Sequence, residues 1–323
     1  MMDAIARSGS FAAAARLLGK VPSALTYNVR QLEDALDVLL FDRRSRQATL
    51  TAAGRELLEE GRRLLEQIDA VANRVKRVAT GWETQLTVVV DDVVSRSTIL
   101  DLCADFYAET AVASHGERTA APGAPPTRLR IRTEVLAGTL EALVTGQADL
   151  ALGVGMNREL PSGLAMKELG SICFVFAVAP HHPLASAAEP IDDAEIVRHR
   201  AVAVADSAHR LTPVTVNLLP GQEVLTVSDM QAKIAALLRG IGCGFVPEPT
   251  VRDAIAAGTL KVKTVQRARA PARFAYAWRA PLGKGGKMQP GLGLKWWLER
   301  LDGATTRRAL LERYGAEPVD AAR

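Results

Sequence analysis

Residues 10–54 read SFAAAARLLGKVPSALTYNVRQLEDALDVLLFDRRSRQATLTAAG, and this stretch decides the fold of the N-terminal end. Ser10 stands where an N-cap acceptor belongs, ahead of an Ala-rich run that favours helix, and Gly19 stops that helix. Pro22 opens a second helix, running to about Ala35, because its missing N–H has no intrahelical partner in a first turn anyway. In that helix Leu25, Val29, Leu32 and Leu36 recur at spacings of four, three and four, which commits one face to a core. The opposite face carries Ser23, Thr26, Tyr27 and Arg30, the kind of set that reaches base edges and phosphates when a helix enters a major groove. Leu39, Leu40 and Phe41 anchor the next turn. Arg43, Arg44 and Arg46 then cluster on a polar tip before Thr49, Leu50 and Thr51, as a basic wing against a phosphate backbone would. The pattern is a winged helix-turn-helix over residues 1–54.

From Thr51 a long helix is expected to about Thr80. Leu57, Gly61, Leu64, Ile68, Val71, Val75 and Val78 alternate steps of four and three, the seam of a coiled coil over residues 55–80. The seam is read as a dimerisation face, the alternative being one amphipathic helix lying on its own domain. Beyond a hinge at 82–84 the pattern changes to short β-rich runs alternating with helices, the signature of an α/β body with a largely parallel sheet. Two subdomains are expected, the first over 84–160 and 268–303, the second over 161–267, with crossovers near 158–163 and 265–271. Residues 111–126 read as a surface loop and 304–323 as a C-terminal tail.

The pieces SFAAAARLLG, VRQLE, LLFDRR and LTAAG, in that order and spacing, resemble the DNA-binding end of a LysR-type transcriptional regulator. VPSALTYNVRQLE, GWETQLT, TEVLAG and AVADS resemble one enterobacterial subgroup of the same family, and the likeness runs from Met1 to about Leu301. The resemblance implies a winged helix-turn-helix, a linker helix and two effector subdomains similar to periplasmic binding proteins. It also implies double-stranded promoter DNA, a small effector and RNA polymerase as partners, and a homodimer or homotetramer as the assembly. Two departures stand out. Val21-Pro22-Ser23-Ala24 replaces the usual Ser-Gln-Pro-Ala, which shifts base reading to Ser23, Thr26, Tyr27 and Arg30. The first helix is also shorter than the family pattern, so a start further upstream or a trimmed chain is expected.

Open α/β sheets bind ligands beyond the carboxyl ends of their strands. The candidate loops are therefore 91–97 and 134–139 from the first subdomain, and 206–210 and 228–230 from the second. They supply the candidate effector residues Ser97, Glu134, Leu136, Thr139, Ser207 and Ser228, with Phe245 as an apolar neighbour. The three serines sit near expected helix starts, where free N–H groups favour an anion, although each also fits a plain helix cap. An aromatic or carboxylated metabolite is the expected effector.

With 323 residues, 48% hydrophobic and 24% charged, the chain is ordinary globular material for two or three units. Residues 1–80 hold 13 Lys and Arg against 10 Asp and Glu, so the basic excess lies with the DNA-binding end. No Gly-x-Ser-x-Gly elbow, Walker loop or positioned Cys-His pair is present, and neither catalysis nor a cofactor is expected. A rival reading keeps the dimer and loses DNA binding through the short first helix. Cys103, Cys173 and Cys243 are far apart in apolar surroundings, which predicts buried free thiols. His181-His182 lacks further ligands, so no metal is expected. Neither a charged-then-apolar leader nor a run of about 18 apolar residues occurs, so a cytoplasmic, soluble protein without membrane contact is expected.

Overall fold

Three short helices and a small β-hairpin build the first unit, Met1–Ala72. The computed structural model describes residues 1–42, 47–113, 127–156, 160–267, 270–280 and 290–313. α1 (Met2–Ser8), α2 (Phe11–Leu17) and α3 (Pro22–Leu36) are followed by β1 (Phe41–Asp42) and β2 (Thr49–Leu50), which pair antiparallel. α4 (Ala52–Thr80) then runs beyond the unit. Ser10 Oγ accepts the Ala13 N–H at 3.4 Å, and Gly19 takes the left-handed φ of 61° that ends α2.

Leu25 and Val29 are buried with Ile5, Leu40 and Phe41, as their spacing predicts. Leu32 and Leu36 are not; they remain 38% and 50% exposed. The chain doubles back after Asp37, which caps α3 in the left-handed region, and this brings the amides of Leu40 and Phe41 under the inner face of the helix. Buried amides need an acceptor, and Glu33, not a leucine, supplies it: its Oε1 accepts from Leu40 N–H at 2.8 Å and Phe41 N–H at 3.3 Å. Glu33→Ala strands both donors. It is expected to lower stability by about 2 kcal/mol in a urea titration of the full chain, with Glu33→Gln recovering part of the loss.

The second unit, Asn73–Arg323, contains two sheets' worth of strands. In chain order it holds β3 (Gln85–Asp91), α5 (Arg96–Ala113), β4 (Arg128–Glu134), α6 (Ala137–Val144), β5 (Leu150–Gly155) and β6 (Leu164–Ile172). β7 (Phe174–Val178), α7 (Asp193–Ile196), β8 (Ala201–Val204), β9 (Val224–Val227) and α8 (Met230–Leu238) come next. β10 (Gly244–Pro247), α9 (Glu248–Ala256), β11 (Lys261–Lys263), β12 (Ala272–Arg279), α10 (Leu292–Asp302) and α11 (Ala304–Glu312) complete it. The first sheet has the order β4-β3-β5-β12-β6, with β3 parallel to both β4 and β5 but β12 antiparallel to β5 and β6. In the second subdomain β7 lies antiparallel between β10 and β11, while β8 and β9 are parallel and reach Cys243 through a bridge at Ala201. Both sheets are therefore mixed, and the largely parallel expectation holds only for β4-β3-β5 and β8-β9.

One boundary moves. β6, expected in the second subdomain, pairs with β12 from Ile172 opposite Ala272 to Leu164 opposite Arg279. The buried backbone of Ala275, Tyr276 and Ala277 would otherwise present an unpaired edge, so β6 belongs to the first sheet. The forward crossing falls at Cys173, between β6 and β7, and the return lies between Val265 and Ala272. The expected tail also changes character: α11 buries Leu310 and Leu311 in the main core, and the Leu310 carbonyl accepts the Ser95 N–H at 2.8 Å. The segment read as a hinge is tied down, because Glu83 accepts the Gly293 N–H at 3.0 Å and caps α10. Of the three free cysteines only Cys243 is buried; Cys103 is half-buried and Cys173, at the crossing, is exposed. The loop expected at 111–126 lies outside the described residues from 114 onward. Among the described residues no helix is long and apolar enough to cross a membrane.

Candidate effector cavity and recognition helix

β3 delivers Asp91 and Asp92 to the carboxyl edge of the first sheet, facing the second subdomain. A cavity of about 470 Å³ opens there, inside the usual range for small-molecule pockets. Its walls are apolar, with Leu136, Val154, Phe274, Phe174, Met230 and Phe245 drawn from both subdomains. The polar groups are few: Asp91, Asp92, Asn217, Lys233 and Arg273.

Asp91 organises the first wall. Its Oδ1 accepts the Val93 N–H at 3.1 Å, while its Oδ2 accepts the Leu136 N–H at 3.0 Å and the Thr139 hydroxyl at 3.2 Å. Burial, and then the neighbouring charge of Asp92, push the Asp91 carboxyl well above the usual carboxylate range. Leu136 sits at φ 54°, a strained setting for a side chain with a Cβ, and the Asp91 contact holds it there at the cavity edge. Asp92, also raised by burial, reaches across to the second subdomain, where its Oδ2 accepts the Met230 N–H at the start of α8 at 2.6 Å. Lys233, one turn further along α8, is buried, and burial depresses its ammonium to about 8.

Beside the cavity a second set of bonds clamps the loop after β8 onto α6. Asp206 Oδ1 accepts from Gly138 N–H at 3.2 Å and Ala208 N–H at 2.9 Å; its Oδ2 accepts from Ala137 N–H at 3.2 Å and Val214 N–H at 2.6 Å. Glu141 accepts the amides of His209, Arg210 and Leu211 at 3.0, 2.7 and 2.8 Å. Ser207 Oγ accepts the Val135 N–H at 2.9 Å and donates to Glu134 Oε2 at 2.7 Å. A methyl group on Gly138 would overlap that hydroxyl, so the approach of the two subdomains requires glycine there.

Of the expected effector residues, Leu136 and Phe245 line the cavity and the other five do not. Ser207 and Glu134 are engaged with each other in the clamp. Thr139 is fully buried beneath Asp91. Ser228 is exposed and donates to Asp229, which is the real cap of α8. Ser97 shares its hydroxyl with Ser95 at 3.1 Å, and Ser95 caps α5 through the Thr98 N–H at 3.2 Å. The caps of α5 and α8 are Ser95 and Asp229, two and one residues from the serines expected there, and no helix follows Ser207. Asp91 and Asp92 lay inside a candidate loop, and their adjacency at a strand end was the available signal. Lys233 and Asn217 carried none, because only the tertiary fold brings α8 and the 205–223 segment to the same hollow.

On α3, Ser23, Tyr27 and Arg30 are exposed and Thr26 is half-buried, all on the side away from Leu25 and Val29. Tyr27 Oη accepts from Gln31 Nε2 at 2.8 Å. Arg43, Arg44 and Arg46 lie outside the described residues. Along α4, Leu57 packs on the first unit's own core, whereas Leu64, Ile68 and Val71 are 58%, 61% and 48% exposed. The side chain of Val75 is outside the description.

A helix-turn-helix head with a β-hairpin, followed by a two-subdomain α/β body with a ligand-sized cavity, joins a module of a DNA-binding type to a body of a ligand-binding type. The sequence model described as "Bacterial regulatory helix-turn-helix protein, lysR family" matches residues 1–55, and that described as "LysR substrate binding domain" matches residues 122–283. The probable HTH-type transcriptional regulator YhaJ of Escherichia coli (strain K12) is 40% identical over 262 residues, covering 81% of this chain and 83% of its own. YeeY of the same strain, an uncharacterized HTH-type transcriptional regulator, is 34% identical over 301 residues, covering 93% and 91%. Full-length CbnR, solved complexed with its target DNA, shares the fold with a TM-score of 0.56 at 18% identity, over 93% of this chain and 96% of that one. The chain belongs to the LysR family of transcriptional regulators, and these relatives are regulators, not enzymes.

Proposed function

We propose that this regulator acts in the cytoplasm as a dimer or dimer of dimers on promoter DNA, and changes its DNA contacts when a small effector, aromatic or carboxylated, enters the cavity. The observation that carries the reading is the cavity's composition, with walls drawn from both subdomains and polar groups confined to a few positions. A ligand touching both walls favours their closed arrangement over an open one, and only such differential affinity can be passed to the DNA. Ser23, Thr26, Tyr27 and Arg30 read base edges from α3; Arg43, Arg44 and Arg46 neutralise phosphates from the wing. Leu64, Ile68, Val71 and Val75 form the seam that pairs two α4 helices, and contact with RNA polymerase follows the family pattern.

Footprinting and salt titration on the upstream region of its own gene test the DNA reading. Replacing the three wing arginines by alanine is expected to weaken binding to every sequence and to flatten the salt slope by about 3 per protomer, one for each phosphate neutralised. Tyr27→Ala or Arg30→Ala should instead lower the operator-to-random ratio by about tenfold at unchanged slope. A wing variant with the wild-type slope would remove the wing from the interface.

A further inference from the structure

Two polar groups in the cavity lack what burial ordinarily demands. Lys233 is 6% exposed, and among the described residues its ammonium makes no hydrogen bond or salt bridge. It lies against the bare backbone of Gly244, where a Cβ would come within 3.4 Å of Nζ. The nearby groups do not neutralise it. Burial pushes the Cys243 thiol up to about 12, so it stays uncharged, and the Asp92 carboxylate is raised by burial and already bound to the Met230 amide. A buried ammonium with no bonded partner, and only the charge of Asp92 acting on it from nearby, is unfavourable, and methionine or leucine would pack in its place without that penalty. Asn217 is the second group. Held at φ 70°, it lines the same cavity with a buried Oδ1 that has no partner among the described residues. Such an oxygen calls for a donor. On the facing wall the charge of Asp92 already raises the Asp91 carboxyl, and a second anionic group there would meet the same repulsion.

We propose that the cavity takes a small apolar monoanion bearing one hydrogen-bond donor, with the Lys233 ammonium as counter-ion to its carboxylate and Asn217 Oδ1 as acceptor for its hydroxyl. The assignment rests on the effector-cavity reading above and names the ligand class for it. Burial in a water-poor pocket strengthens the ion pair, and the single acceptor sets the position of the donor around the apolar body.

The test uses the full chain with four probes: 3-hydroxybenzoate, benzoate, the uncharged 3-hydroxybenzamide and the dianion phthalate. Calorimetry is expected to rank 3-hydroxybenzoate first, benzoate below it, and the amide and the dianion weakest. Lys233→Met should melt at or above the wild-type temperature, because it removes an unpaired charge, and bind 3-hydroxybenzoate about thirtyfold or more weakly. If that variant fails to fold, Lys233→Gln serves the same comparison. Asn217→Gly, which keeps the left-handed backbone, should erase the preference for 3-hydroxybenzoate over benzoate. A folded Lys233 variant that binds the carboxylates with wild-type affinity overturns the assignment. Tighter binding of the amide than of the acid, lost when the exposed lining residue Val216 is enlarged by Val216→Trp, overturns the anion assignment and leaves the effector cavity standing. Failure of every probe to bind at millimolar concentration, or binding indifferent to Val216→Trp, removes both.

Discussion

Glutamate at both Ile68 and Val71 is expected to leave a monomer that no longer holds its operator. Within one chain these side chains, with Leu64, point into solvent from α4, so changing them takes nothing from the folded protomer. Paired across a two-fold axis they would each contribute about 1.5–3 kcal/mol on burial. Two chains then carry four glutamates into that seam, each costing several kcal/mol unless it is neutralised or escapes to water. The seam reverses from favourable to prohibitive. A monomer presents one recognition helix where a two-fold operator offers two half-sites, and DNA binding falls accordingly. Light scattering should report the 34.6 kDa of a single chain with unchanged far-ultraviolet dichroism. If the variant keeps its wild-type mass, α4 is not the dimer seam.

Asp206→Ala is the second large effect. One carboxylate gathers four amide donors there, two of them at the N-terminus of α6, where the helix dipole also favours negative charge. Removing it leaves those donors to find water or go unpaired, which shifts the balance away from the closed subdomains by about 3 kcal/mol. Hydrogen exchange at residues 134–141 and 206–214 should accelerate and affinity for cavity ligands should drop, with Asp206→Asn intermediate. Unchanged exchange would show that the clamp carries little of the closure. The neighbouring Glu141 predicts an acid limb. Burial opposes its ionisation, yet the amides of Leu211, Arg210 and His209 outweigh that and hold its carboxyl below the usual range. A depressed folded value means its contribution is present above the unfolded value of 4.5 and is lost as pH falls through the folded one.

How much could be read in advance differs along the chain. The exposed face of α3 was legible because helical spacing alone puts Ser23, Tyr27 and Arg30 opposite Leu25 and Val29. The inner face was legible only in part, since the turn at Asp37 decides whether Glu33 or the flanking leucines point at the returning chain. The cavity shows the same division: Asp91, Asp92, Leu136 and Met230 come from loops expected at strand ends, residues 206–210 supply none of the lining, and the named side chains other than Leu136 and Phe245 are taken up by caps, by the clamp or by the support of Asp91.

By itself the sequence determined what depends on neighbours a few residues away: the helix-turn-helix with Ser10 and Pro22 at its helix starts, the long helix α4, the alternation of strands and helices, and through its motifs the family. Only the tertiary structure decided the pairing of β6 with β12, the burial of α11 and the meeting of Asp92, Asn217 and Lys233 around one hollow. Those outcomes follow from backbone edges that must be paired and apolar faces that must be covered by segments more than a hundred residues apart. Such demands are met between elements, and no periodicity within one element records them.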